Sequence, residues 1–141
     1  MRRLFIMRKD LHMSTGKLLA QTCHCAEAYW TRGLRANVKP VDDASYRATL
    51  EIPKDVYEQY ICGAFVKTIC EAKSKNHLLK AKKLAEEMLL KEDVDFGLIY
   101  DKCLTELEPE EDDGTTLTGI WFKPLPDELA HVISKKYHLY M

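Results

Sequence analysis

No apolar run in these 141 residues is more than a few residues long, so no segment is suited to cross a membrane as a helix. The net charge of −1 and a pI near 6.5 show none of the basic excess of a dedicated nucleic-acid binder, so any contact with RNA has to be local. The five cysteines, Cys23, Cys25, Cys62, Cys70 and Cys103, are odd in number and lack the spacing of a secreted framework, which implies reduced thiols and a cytoplasmic setting. Arg2 and Arg3 precede an apolar stretch, but Arg8 and Lys9 interrupt it too soon for a signal-peptide core, and Leu4 to Arg8 is expected as a first strand. Internal repeats and low-complexity segments are absent. What is present is the composition of a soluble globular protein, 46% hydrophobic and 30% charged, in a length that suits one domain over 1–141 with a core needing no disulfide or structural metal. Charge is nonetheless grouped: basic residues gather at Arg2, Arg3, Arg8, Lys9 and Lys17 and again from Lys73 to Lys83, acids from Glu106 to Asp113. Most such runs are solvated faces.

Ser14-Thr15-Gly16 is a helix-start signal ahead of Lys17 to Trp30. In that helix Leu18, Thr22, Cys25 and Tyr29 form one apolar stripe and Leu19, Cys23, Ala26 and Trp30 another, which predicts a wide buried face with Lys17, Gln21 and His24 on the remainder. Residues 31 to 45 read as a polar connection, 48 to 52 as a short strand, and Pro53-Lys54-Asp55 as the opening of a short helix closed by Gly63. Phe65 to Ala72 alternates as a strand, and Asn76 is the expected N-cap of a helix burying Leu78, Ala81, Leu84, Ala85, Met88 and Leu89. Phe96 to Tyr100 suits a strand buried on both faces and ends at Asp101; Thr116 to Phe122 reads as another strand, followed by Pro124, Pro126 and a helix from Asp127 to about Tyr137. Strands alternating with amphipathic helices predict an α/β sandwich, three layers with a mixed sheet of about four main strands between helices.

Ligands in open α/β sheets gather where the carboxyl ends of strands meet the amino ends of the following helices. Two loops answer that description: Arg8 to Gly16, which delivers Lys17 in the first helical turn, and the loop from Asp101 through Thr105 to Thr116. If their strands are neighbours, a cation, a carboxylate and hydroxyls converge in one crevice. Ester hydrolysis needs that combination: a group to orient or deprotonate water, and positive charge where the oxyanion develops. A lysine at a helix amino end also suits an RNA phosphate. Taken singly, a surface lysine and a strand-capping aspartate are the commoner origin of such residues.

At these same residues the chain resembles the type 2 peptidyl-tRNA hydrolases. Gly16-Lys17, Ala20-Gln21 and His24-Cys25-Ala26 are similar to that family's signature of a Gly-Lys pair, an Ala-Gln pair and a His-Ala pair, and Met7-Arg8-Lys9-Asp10-Leu11 resembles its Arg-x-Asp-Leu strand ending. Leu98-Ile99-Tyr100-Asp101 resembles the strand carrying the family's active-site Asp, Thr105 stands where its loop Thr falls, and Gly114-Thr115-Thr116 is similar to its Gly-Thr turn. The resemblance covers nearly the whole chain except 31–63, expected as an insertion. It implies hydrolysis of the ester joining a peptide to the tRNA 3′ end, with contacts to that end and the acceptor stem, no cofactor or metal, and a homodimer. It implies Lys17, Asp101, Thr105 and Thr115 or Thr116 as catalytic residues, and Gln21, His24, Lys102 and Arg8 as substrate contacts.

The chain departs from the family pattern between Asp and Thr, where Lys102-Cys103-Leu104 replaces Ala-Gly-Arg, and at Glu106, which replaces a Gln. An arginine is lost, and the acids from Glu106 to Asp113 are expected to repel phosphates at short range. That favours a second reading, a hydrolase-like module that binds RNA or a protein without turnover. Retention of Lys17, Gln21, His24, Asp101 and Thr105 together opposes it, because a scaffold has no physical need of that set. Cys23-His24-Cys25 is a poor metal site, since adjacent helical residues point apart, and Gly16-Lys17 lacks the remaining residues of a phosphate loop.

Overall fold

The computed structural model describes all 141 residues. Strand β1 (Arg2–Arg8) explains the layering: its alternate side chains point to opposite faces, and both faces are covered. Leu4 and Ile6 join the larger apolar cluster with residues of helices α2 (Lys75–Glu87) and α3 (Asp127–Ser134), whereas Phe5 and Met7 meet Cys25 of α1 (Thr15–Ala36) on the other face. Helices therefore sandwich the sheet, as expected.

The sheet is mixed, in the order β5 (Phe96–Asp101), β6 (Thr116–Phe122), β1, β4 (Val66–Ala72), β7 (His138–Leu139). Only β1 and β4 run parallel; the other pairs are antiparallel. The four main strands are those expected, and a short fifth joins them at the β4 edge. The extra one forms because α3 stops at Ser134, and His138 and Leu139 then pair with Glu71 and Cys70. Strands β1 and β5 are not neighbours, since β6 lies between them. They still end on the same side of the sheet, and α1 packs across β1, β6 and β5, so both loops reach one edge.

The face that α1 buries differs from the expected one. Cys25 is fully buried, but Leu19 is 59% exposed and Cys23 is also exposed, while polar Gln21 points inward at 2% exposure. Gln21 tolerates burial because both ends of its amide find partners, described below. Helix α2 is capped by Ser74, whose hydroxyl accepts from the His77 amide at 3.1 Å, and not by Asn76. Leu89 lies beyond its end at a φ of 63° and 87% exposure, so it is not a core residue.

In the 31–63 region, α1 continues to Ala36 and a hairpin of β2 (Val38–Pro40) and β3 (Tyr46–Ala48) follows. The Asp42 carboxylate closes its turn, accepting from Ala44 N at 2.9 Å and Ser45 Oγ at 2.8 Å, which draws the second strand earlier than the expected 48–52. A single π-helical turn, Val56–Ile61, then buries Val56 and Tyr60 four residues apart.

Trp121 lies flat on Gly97 of the neighbouring strand: a Cβ there would come within 2.6 Å of the indole, which is itself only 3% exposed. Gly97→Ala is expected to destabilise the protein by about 1–3 kcal/mol through overpacking, read as a lower urea midpoint with an unchanged slope.

Candidate active site

The site forms where α1 begins and β5 ends. Ser14 caps α1, its hydroxyl accepting from Lys17 N at 3.3 Å, so the first turn is fixed and Lys17 is launched over the sheet edge. Its Nζ donates to Asp101 Oδ1 at 2.7 Å and to Thr105 Oγ1 at 3.2 Å. An ammonium has three protons, so one remains to face solvent or a ligand.

Asp101 is 9% exposed and held by three donors. Lys17 Nζ and Gln21 Nε2, the latter at 3.0 Å, share Oδ1, and Cys103 N binds Oδ2 at 2.9 Å. The last bond requires Cys103 to adopt a left-handed backbone at φ 57°. Burial pushes the Asp101 carboxyl up, but these donors outweigh it and hold its pKa below the usual carboxylate range. Oδ2, with a single protein donor, keeps room to accept from a water.

Behind the carboxylate lies a residue that the sequence pattern does not mark. Thr118 Oγ1 donates to Gln21 Oε1 at 2.7 Å, with the Ile99 carbonyl at 3.2 Å. It reaches that position through a β-bulge: Ile99 pairs with Gly119 but Tyr100 pairs with Leu117, which leaves Thr118 as the extra residue, turned toward α1.

The groove outside these residues, about 780 Å³, runs along α1 and β5. Lys17, Gln21, His24 and Arg35 line one wall, Tyr100, Asp101, Lys102 and Thr105 the other. The structure thus brings together Lys17, Asp101, Thr105, Gln21, His24 and Lys102. Arg35 and the 46% exposed ring of Tyr100 join them without having been singled out, since nothing local distinguishes them from other surface residues.

Three expected site residues do not line the groove, although Thr116 pairs with Asp101 across β5 and β6 and accepts from Cys103 Sγ at 3.4 Å. Arg8 is 3% exposed and all five of its N–H groups are used: on Asp10 at 3.1 and 2.7 Å, on Glu110 at 2.5 and 3.0 Å, and on the Leu117 carbonyl at 3.1 Å. It has no donor left for a substrate. Thr115 binds Asp113 at 2.6 Å, and the fully buried Thr116 donates to the Glu108 carbonyl at 2.7 Å and accepts from Glu110 N at 3.0 Å. Their hydroxyls tie the acidic loop, and the second hydroxyl of the site network is that of Thr118.

That loop is also less repulsive than its composition implies. Glu106 accepts from Ser14 N at 2.8 Å and Ser14 Oγ at 2.6 Å, Glu110 pairs with Arg8, and Glu111 pairs with Lys75. The Ser14 donors hold Glu106, and Arg8 holds Glu110, below the usual carboxylate range. Cys23 and His24 are exposed while Cys25 is buried against Met7, so the Cys-His-Cys run does not converge on one point.

The family model described as peptidyl-tRNA hydrolase PTH2 matches residues 1–140. A peptidyl-tRNA hydrolase of Thermoplasma acidophilum is 24% identical over 133 residues, covering 94% of this chain and 92% of that one.

Proposed function

The chain belongs to the peptidyl-tRNA hydrolase PTH2 family and is a hydrolase of peptidyl-tRNA, and from that premise we propose that Lys17, Asp101 and Thr105 carry the reaction in the groove between α1 and β5. The observation that carries this assignment is the anchored Asp101 carboxylate on the groove wall, its ionised form favoured, with one protein donor on Oδ2 and the Lys17 ammonium 2.7 Å from Oδ1. A water donating to Oδ2 is aimed at the ester carbonyl, and the free N–H of Lys17 meets the oxyanion as it forms. The water oxygen bonds the acyl carbon, the C–O bond to the ribose breaks, one proton of the water passes to the ribose oxygen and the other to solvent, and the peptide leaves as a carboxylate. Because Asp101 is a weak base, its contribution is to orient water and stabilise charge more than to remove a proton outright.

Arg35 and Lys102 supply cations along the groove for phosphates near the 3′ end, His24 adds a ring nitrogen for hydrogen bonding, and Tyr100 offers a ring on which a terminal base stacks. The chain works as a homodimer in the cytoplasm. Five free thiols support the compartment, and the exposed apolar residues Phe65, Val66, Ile69 and Leu139 along the β4 side of the sheet support self-association.

Release of the peptide from labelled peptidyl-tRNA by the purified protein tests the assignment through its pH profile. Lost activity follows protonation of Asp101, so the rate holds from pH 7 to about pH 5 and falls only below the ordinary carboxylate range. An acid limb centred near neutrality would assign control of the rate to a different group.

A further inference from the structure

We infer that Thr118 is a positioning residue of the hydrolase site, setting through Gln21 which face of an amide the Asp101 carboxylate meets. The inference rests on Asp101 being the site carboxylate, as proposed above.

A primary amide presents an oxygen on one side and an NH₂ on the other, and the two have the same shape. Gln21 is buried between Asp101 and Thr118, so its orientation is decided by those neighbours. With the Thr118 proton directed at Oε1, the NH₂ group faces Asp101 and stabilises the ionised form. The Thr118 hydroxyl carries one proton and has a second acceptor, the Ile99 carbonyl at 3.2 Å. Turned to that carbonyl, the hydroxyl would accept from the amide, and Oε1 would face Asp101, an arrangement compatible only with a protonated carboxyl. The 2.7 Å contact to Oε1 against 3.2 Å to the carbonyl selects the first arrangement. Thr118 is fully buried, and the bulge in β6 leaves its hydroxyl two neighbours, the Gln21 amide oxygen and the Ile99 carbonyl.

The groups that face Asp101 are few enough to define the effect. Helix α1 contributes Lys17 and Gln21 as donors and His24 farther along the groove wall. The following loop contributes Cys103 N as a donor, Lys102 and Thr105 at the groove, and Glu106, whose charge opposes ionisation of Asp101. Strand β6 contributes no charge; Thr118 acts through Gln21, and Thr116, opposite Asp101, accepts from the Cys103 thiol at 3.4 Å.

Thr118→Val keeps the shape and removes the proton donor, and Thr118→Ser keeps the donor and removes a methyl. Titration of the Asp101 carboxyl by carbon NMR in the full chain is the direct reading. In Thr118→Val the amide loses its reason to present N–H, so the carboxyl pKa rises by on the order of half to one pH unit, and the acid limb of the rate moves up with it. Thr118→Ser restores the wild-type titration and limb. An Asp101 titration unmoved by Thr118→Val, or moved equally by Thr118→Ser, would overturn the inference. A wild type whose acid limb does not follow the Asp101 titration would overturn the Asp101 assignment instead, and the titration would still decide the role of Thr118.

Discussion

Asp101→Asn is expected to lower kcat for peptide release by about 10²–10⁴-fold while leaving the fold intact. Asparagine fits the space, but the best it can do is offer its oxygen to Lys17 and Gln21. Its NH₂ then confronts the Cys103 N–H, which sits 2.9 Å from Oδ2 in the native protein. The lone pair that received water becomes a donor, so water orientation is lost. Lys17→Ala removes the charge next to the developing oxyanion and is expected to lower kcat by about 10²–10³-fold. It also strips Asp101 of its one cationic donor, so the acid limb of the remaining activity moves upward. Because the two side chains are bonded at 2.7 Å, the double variant is expected to be little worse than Asp101→Asn alone. Steady-state release kinetics on the four proteins, with circular dichroism as the folding control, check all of this. Full additivity would mean that the two residues act in separate steps.

Much of the site could be read from the sequence because its parts are tied to element ends. Lys17 follows a Ser-Thr-Gly start signal and Asp101 ends an apolar run, and both signals are local, as is the strand from Thr116 to Phe122. What stayed hidden depends on partners distant in sequence. Helical periodicity assigns Leu19 and Cys23 to the core and Gln21 to the outside, because hydrophobicity alone ranks a glutamine as exposed. Only Asp101 and Thr118, 80 and 97 residues away, make Gln21 an inward residue. Strict alternation along β6 would turn Thr118 to the side of Ile120, toward α2 and α3, and a bulge leaves no local mark in composition. The two-residue strand β7 is likewise too short to carry a period, and exists through its pairing with β4.

The acidic loop carries the same lesson in its charges. Counted along the chain, Glu106, Glu110 and Glu111 threaten an RNA site; placed in the fold, they fasten the loop to three separate elements through Ser14, Arg8 and Lys75. The loop bearing Thr105 is thereby held against the start of α1, which keeps Thr105 within 3.2 Å of Lys17. The acids contribute order to the site where composition alone suggested repulsion.

Arg8 is where that order is most exposed to test. Removing it is expected to destabilise the protein by about 3 kcal/mol, near the lower end for breaking a buried ion pair because both carboxylates are partly solvated. Arg8 itself is 3% exposed against 32% for Asp10 and 34% for Glu110. Arg8→Met keeps most of the packing volume, so the loss reports the five hydrogen bonds, including the one that satisfies the Leu117 carbonyl. The pH dependence supplies a sign. Arg8 depresses the folded pKa of Glu110, so the pair stabilises the wild type above the unfolded carboxylate pKa and loses that contribution as pH falls through the folded one. Denaturant melts at pH 7 and at pH 3 should therefore show a smaller gap between Arg8→Met and wild type at the lower pH. Kinetics separate this from a direct role in recognition. A residue that only orders the loop lowers activity through the folded fraction and the placement of Thr105, whereas an RNA contact raises KM with an unchanged melt. An Arg8→Met protein as stable as wild type with a raised KM would return Arg8 to the substrate-binding surface.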